Sequence, residues 1–461
     1  MENVKNKIWI VLAVVICLSA CDNELDIEPE QNISNNVALS TSENVEAALV
    51  GAYDRLGGGF IDNEGESGND GYGYGGYNLF EPDLLADNGE LRWTGTFEEP
   101  EQIWRKRIQV ENIDVEETWR ISYETINIVN NVISALDVVN EAERDRVEGE
   151  ALFIRGLVYF DLLRVFSQPW SAGNQSSNLG VPIITEPTDV IDESTEVSRG
   201  TVAEGYNQVI ADLTRAESLL PESNGVFANQ YAAAAILSRV YLQQADYVNA
   251  RDAANRVIEN GPFALLDNYA NCFNNVGTNT AEDVFAIQIS SQDGLNSMNL
   301  FYAPDEFGGR GDITILQPHL DLYEAGDERA TLFFADQNGI QRTGKWIEIF
   351  GNVNIVRLAE MYLTRAEANF REGTAVGDTP LNDVNTIRDR ANLPPLASVD
   401  LDAILLERKL ELAFEGHLLH DLKRIQQAVG SLGFDAPELV YPIPQREIDV
   451  NDNLQQNEGY F

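Results

Sequence analysis

The residues best equipped for recognition chemistry lie in the first quarter of the chain. Gly71-Tyr72-Gly73-Tyr74-Gly75-Gly76-Tyr77 follows an acidic stretch running from Asp62 to Asp70. Glycine opens backbone conformations closed to other residues, and the tyrosines supply flat faces that each end in a hydroxyl. A packed core has little use for such a loop, which marks Tyr72, Tyr74 and Tyr77 as candidate ligand contacts. The competing reading folds the rings back onto the scaffold. The acidic stretch offers oxygen ligands for calcium, but its spacing does not match an EF-hand loop.

Other constellations point to structure more than to chemistry. His417-x-x-His420 could bring two imidazoles to one metal, yet zinc needs more ligands than these two, so no metal or cofactor is expected. Glu407, Arg408, Glu411 and Glu415 recur at three-and-four spacing, with Asp421 and Arg424 beyond, which suits ion pairs on and between helices. Arg310-Gly311-Asp312 spells an adhesion tripeptide too short to carry meaning alone. There is no Walker loop, Gly-x-Ser-x-Gly elbow, HExxH or CxxC, so no enzyme is expected. Glycoside hydrolysis by two carboxylates is the enzymatic alternative that 75 Asp and Glu leave open.

Those 75 carboxylates face only 31 Lys and Arg, a formal charge of −44 over 461 residues. The balance disfavours nucleic acid, whose phosphates need basic partners, and tight docking to anionic lipid. With 44% apolar residues the chain is nevertheless too apolar for an acidic disordered segment and long enough for a sizeable core. Lys5 and Lys7 precede an apolar run from Ile8 to Leu18, long enough for a signal peptide and too short to span a bilayer. Leu18-Ser19-Ala20-Cys21 then resembles the lipobox of a bacterial lipoprotein, with cleavage before Cys21 and acylation of its thiol and amine. The expected organisation is a signal peptide at 1–20, a lipidated Cys21 and tether at 21–40, and a single domain at 41–461. Cys272 is then the remaining thiol outside the anchor, so no internal disulfide can form.

Periodicity says what must position the candidates. Apolar residues at helical spacing predict helices from near Ser42, then at Val115–Val139, Arg146–Phe166, Val202–Leu220, Tyr231–Gln243, Tyr247–Glu259, Ile355–Arg371, Pro380–Arg390 and Asp402–Val429. Leu237-x-x-x-Tyr241, Asp246-Tyr247, Ala250 and Ala254 alternate large and small residues across a tight turn, and this resembles a tetratricopeptide unit. A weaker copy starts at Ala359. The fold class is therefore mainly α, with tetratricopeptide-like pairs forming a scaffold at about 41–56, 113–166, 201–261 and 353–429. Long irregular inserts at about 57–112, 167–200 and 262–352 would carry the ligand surface, since loops of that length are uncommon without a function.

The last hundred residues carry a family resemblance. Arg357-Leu358-Ala359-Glu360-Met361-Tyr362-Leu363, Asn385-x-Ile387-Arg388-x-Arg390, Glu407-Arg408-x-x-Glu411-Leu412-x-Phe414-Glu415-Gly416 with Asp421-Leu422-Lys423-Arg424, Tyr441-Pro442-Ile443-Pro444, and Gln456-Asn457-Glu458-Gly459-Tyr460 occur in order. They closely resemble the SusD/RagB family of Bacteroidetes surface lipoproteins. His417 to His420 depart from the family's basic-then-aromatic pattern, and Glu458 stands where proline is common. The resemblance implies an outer-membrane, cell-surface, lipid-anchored protein that captures oligosaccharides or polysaccharide for a TonB-dependent SusC-like transporter. Peptide capture is the alternative within the family. It also implies that Asp87-Asn88-Gly89-Glu90-Leu91-Arg92-Trp93 contributes contacts, with Asn88 and Arg92 reading hydroxyls and Trp93 stacking beside Tyr72, Tyr74 and Tyr77. Phe301, Tyr302 and Trp346 are further candidates, Trp346 fitting a buried scaffold position better. Repulsion from the overall charge favours a neutral glycan.

Overall fold

The computed structural model describes residues 38–61, 67–69, 71–190, 192–291, 294 and 296–460. The signal peptide, the Cys21 lipidation site, most of the tether and much of the Asp62–Asp70 stretch lie outside the described residues.

Eight helices pack each on the next along the chain: Ser42–Leu56, Ile113–Ser134, Arg144–Phe166, Val202–Leu219, Gln230–Gln243, Tyr247–Asn260, Leu358–Glu372 and Pro380–Arg390. Their starts follow from side chains that accept the first free N–H groups. Thr41, Asn112, Asn229, Asp246 and Thr379 do so, and Thr201 with Glu204 closes a capping box. The Arg144–Phe166 helix is apolar on nearly every side because neighbours flank it on both sides. Small residues set the spacing: a Cβ at Gly156 would sit 2.8 Å from Leu213, and one at Gly205 would sit 2.6 Å from Leu163. Ala232 to Ala235 and Ala253 with Ala254 are buried along the neighbouring tetratricopeptide-like pair. That chain of neighbours, each element burying its apolar stripe on the next, is the mainly α scaffold expected.

Two periodic segments turn out differently. Val353–Arg357 is a strand paired antiparallel with Asp283–Ile287, and the helix starts only at Leu358. The strand is buried on both faces, Asn354 and Arg357 included, so its sequence lacks the alternation that would have marked it. The segment expected as one helix from Asp402 to Val429 is two, Leu401–Glu411 and Leu418–Arg424. Between them Phe414 and Gly416 adopt φ of 62° and 78°, which reverses the chain. The reversal drives Glu415 inward and turns the carbonyls of Glu411 and Ala413 toward the ammonium of Lys345.

The inserts meet one another. Leu91–Trp93, from the first, pairs antiparallel with Ile313–Ile315, from the third, in the register Leu91 with Ile315, Arg92 with Thr314 and Trp93 with Ile313. A hairpin of Phe333–Ala335 and Gln341–Thr343 lies alongside. Buried Arg342 fastens it, donating to the carbonyls of Gly311 and Ile313 and to Asp336. No helix among the described residues is long and apolar enough to cross a membrane.

Candidate functional site

The glycine-tyrosine loop is packed inward. Tyr74 and Tyr77 are 4% and 8% exposed. The Tyr74 hydroxyl donates to Asp161 in the core, and Tyr77 sits among Tyr72, Phe80 and Phe301 with ring centroids 4.2–5.7 Å apart. Half-buried Tyr72 donates to Asp114 at 3.0 Å. Trp93 is 4% exposed with its ring against Phe301, and Phe301, Tyr302 and Trp346 are fully enclosed. The stacking platform expected from Tyr74, Tyr77 and Trp93, and the contacts expected from Phe301 and Tyr302, are corrected accordingly: these rings fill the junction between the first and third inserts. Asn88 and Arg92 remain exposed.

What the paired strands do present is a polar ladder. Side chains alternate across a strand, so Leu91, Trp93, Ile313 and Ile315 point to the core while Arg92 and Thr314 share the outer face. The rungs continue past the strands. Thr94 donates through both its N–H and its hydroxyl to the carbonyl of Asp312, and the Arg310 guanidinium donates to the Thr96 hydroxyl at 3.2 Å. Arg310 also pairs with Asp312 at 2.7 Å and lies flat over Phe97, 4.2 Å from the ring centroid. Phe97 is 42% exposed, and Phe307, close by in sequence to Arg310, is 36% exposed and packs edge-on against Phe334. Gly95 is required by space here. A Cβ would fall 2.5 Å from the Trp93 ring and 2.6 Å from the Asp312 carboxyl carbon.

On this face the Arg92 guanidinium makes no hydrogen bond or ion pair among the described residues, and the hydroxyl of Thr314 is buried and unpaired; on the core side the buried Trp93 Nε1 is unpaired as well. Phe97 and Phe307 escaped the sequence reading, and Arg310 was noted there only as part of a tripeptide. The alternation Arg92, Thr94, Thr96 was the available signal, but the strand completing it lies more than two hundred residues away.

Behind the face is a different kind of ionic structure. Arg357 reaches Glu415 at 2.8 Å and Glu282 at 2.7 Å, Arg390 reaches Glu282 at 2.9 Å, and both guanidiniums also hold Glu411. Lys345 joins through Glu415 at 2.7 Å. Arg329 pairs with Glu407, Arg408 with Asp421, and Arg424 with Glu367. The ion pairs expected from the motif thus form, but mostly to distant elements instead of along one helix. Burial works to raise the Glu411 carboxyl, yet Arg390, Arg357 and Arg329 hold it far below the ordinary carboxylate range.

A cavity of about 220 Å³ lies between this lattice and the ladder, with Asp83, Glu90, His319, Arg408, His417 and Asp421 on its polar side. Two of its acids are engaged: Glu90 bridges Lys409 and His319, and Asp83 accepts the Gly416 N–H at 3.1 Å. Burial raises Asp83 to about 7 against the pull of Gly416 and Lys345. His417 and His420 are buried, and burial pushes both well down, His417 to about 3, so they are neutral. No group of three His, Cys, Asp or Glu suited to a metal occurs among the described residues.

Comparison with known proteins places this geometry. The family described as "Starch-binding associating with outer membrane" matches residues 86–242, which include the first half of the ladder, and the SusD family matches residues 343–438. SusD-like protein P2 of Formosa agariphila is 26% identical over 82% of this chain and 86% of its own length. The starch-binding protein SusD of Bacteroides thetaiotaomicron is 35% identical over 24% of this chain and 22% of its own. A SusD superfamily crystal structure from Bacteroides thetaiotaomicron superposes with a TM-score of 0.76 at 27% identity, covering 90% of this chain and 99% of that one. Surface glycan-binding protein A of Bacteroides uniformis shares the fold, with a TM-score of 0.76 at 21% identity over 90% of this chain and 99% of that one.

Proposed function

Because the chain belongs to the SusD/RagB family, we propose that it is a glycan-binding protein of the outer membrane, held at the cell surface by lipid on Cys21. It captures oligosaccharide or polysaccharide and passes it to a TonB-dependent SusC-like transporter. The observation that carries the reading is the partly exposed Phe97 ring with the Arg310 guanidinium over it, on the same face as the exposed, unpaired guanidinium of Arg92. An apolar ring face ringed by fixed donors suits a sugar, whose ring has an apolar face and a polar edge. One of the two matching families and the starch-binding protein SusD are named for binding.

The test uses the full-length chain with its own leader. It should partition with outer membranes, be cleaved by protease added to intact cells, and lose its acyl label and membrane association when Cys21 is replaced by Ala. Mild-detergent capture should recover one TonB-dependent receptor in near-equal amount. In native gels polysaccharide should retard the protein with no release of reducing ends. Release of reducing ends, or no retardation by any glycan alongside retardation by peptides, would overturn the glycan reading.

A further inference from the structure

Acids outnumber bases more than two to one in this chain, and the arginines are correspondingly occupied. Most are locked to carboxylates, while Arg144 and Arg199 are spent on backbone carbonyls. Arg92 and Arg107 depart from this pattern, each exposed with neither kind of side-chain partner among the described residues, and of the two Arg92 stands on the ladder. Across the strand pair its neighbour is Thr314, whose hydroxyl is buried from water and unpaired. Two rungs further, Arg310 uses Nε for Asp312 and Nη2 for Thr96 and leaves Nη1 open.

Donors are thus in surplus on this face. Arginine offers five N–H groups and no acceptor, whereas hydroxyls can do both. A neutral sugar answers each hydroxyl it accepts through with a donor of its own. A carboxylate or sulfate ester brings acceptors only and can meet a guanidinium through two parallel hydrogen bonds. Resting on the glycan-binding reading of this face, we propose that the Arg92 end of the ladder recognises an acidic substituent on the glycan, a uronic acid carboxylate or a sulfate ester.

The overall charge does not forbid this. At physiological ionic strength fields fade over roughly 8 Å, so groups at the face count for more than distant ones. Nearby acids are largely neutralised: Asp312 by Arg310, and Glu90 by Lys409. The exposed Asp305 and Glu306 stand on the Phe307 loop, toward the Arg310 end, which is why the acidic substituent is assigned to Arg92.

Isothermal titration of the full-length chain in detergent tests the assignment with tetragalacturonate, the same tetrasaccharide with its carboxyls reduced to alcohols, and a sulfated galactan tetrasaccharide. At least one acidic probe should bind about tenfold or more tighter than the neutral one, a preference that weakens with added salt. Arg92→Met, with unchanged melting temperature, should abolish the preference. The two acidic probes separate carboxylate from sulfate. Failure of both acidic probes to bind, equal binding of the neutral probe, or a preference that survives Arg92→Met overturns the proposal. If in addition Phe97→Ala weakens neutral binding, the face stands and only its charge preference falls. If Phe97→Ala and Arg92→Met both bind like the parent, the face itself is misplaced.

Discussion

At Arg357 the guanidinium touches Glu282, Glu411 and Glu415 and is 1% exposed; at Arg92 it touches nothing and stands in water. The two sites use one side chain for opposite ends. In the lattice, donors and carboxylates nearly balance, water is excluded, and removing one member strands the others. On the ladder, a rigid backbone holds donors open for something outside the chain. Asp83 sits between the two, at the end of the helix leading to the ladder, with its carboxylate on the Gly416 N–H of the lattice loop. A buried charge network fixes shape, whereas an unpaired charge on a fixed strand is available for recognition.

The contrast can be broken most sharply at Glu411. Replacing it by Ala leaves Arg357 and Arg390 short of a buried counter-charge, and unfolding in urea should show a loss of about 3–5 kcal/mol. A loss under about 1 kcal/mol, the range of exposed pairs, would mean that water reaches the lattice. The next effect depends on pH. Asp83 titrates near 7 in the folded chain against an ordinary value of 3.8. Its contribution is therefore complete below about pH 4 and disappears as pH rises through 7, a loss approaching about 4 kcal/mol. Asp83→Asn keeps an oxygen for Gly416 and should gain on the parent in melting temperature between pH 5 and 8. A constant difference across that range would show Asp83 ionised throughout. The smallest expected effect sharpens the other side. Phe97→Ala should weaken glycan binding by roughly 1–3 kcal/mol, by analogy with bases stacked on aromatic rings. Its urea midpoint should scarcely move, since the ring is substantially exposed.

The same division governs what the sequence reveals. Helices such as Val202–Leu219 and Pro380–Arg390 announce themselves because their caps and apolar stripes are local. Glu407 to Arg424 were legible as ion-pairing residues from charge spacing, though not most of their partners, which come from residues 329 to 390. Local pattern fails where both faces of an element are covered, as at Val353–Arg357, or where one left-handed residue, Phe414, turns a helical run. For the candidate site, Arg92 was named through the family resemblance, and its exposure accords with alternation along the strand. Tyr74 and Tyr77 misled because a glycine-aromatic pattern fixes flexibility and surface area but not which side the core lies on. Phe97 went unnamed and Arg310 was read only as part of a tripeptide, because the pairing that brings them together joins two inserts remote in sequence.

That pairing of remote segments also bears on the order in which the chain matures. Thr94 and Asp312 are 218 residues apart, while the Arg144–Phe166 helix packs on its immediate neighbours in sequence. Closing a long loop costs more chain entropy than closing a helical hairpin, and contacts of high sequence separation form slowly. Recognition is therefore acquired last: the scaffold can consolidate while the first insert waits for the third. Pulse-labelled hydrogen exchange during refolding should protect the amides of the Arg144–Phe166 helix before that of Thr94, so the ability to bind glycan arises only once the C-terminal half has arrived.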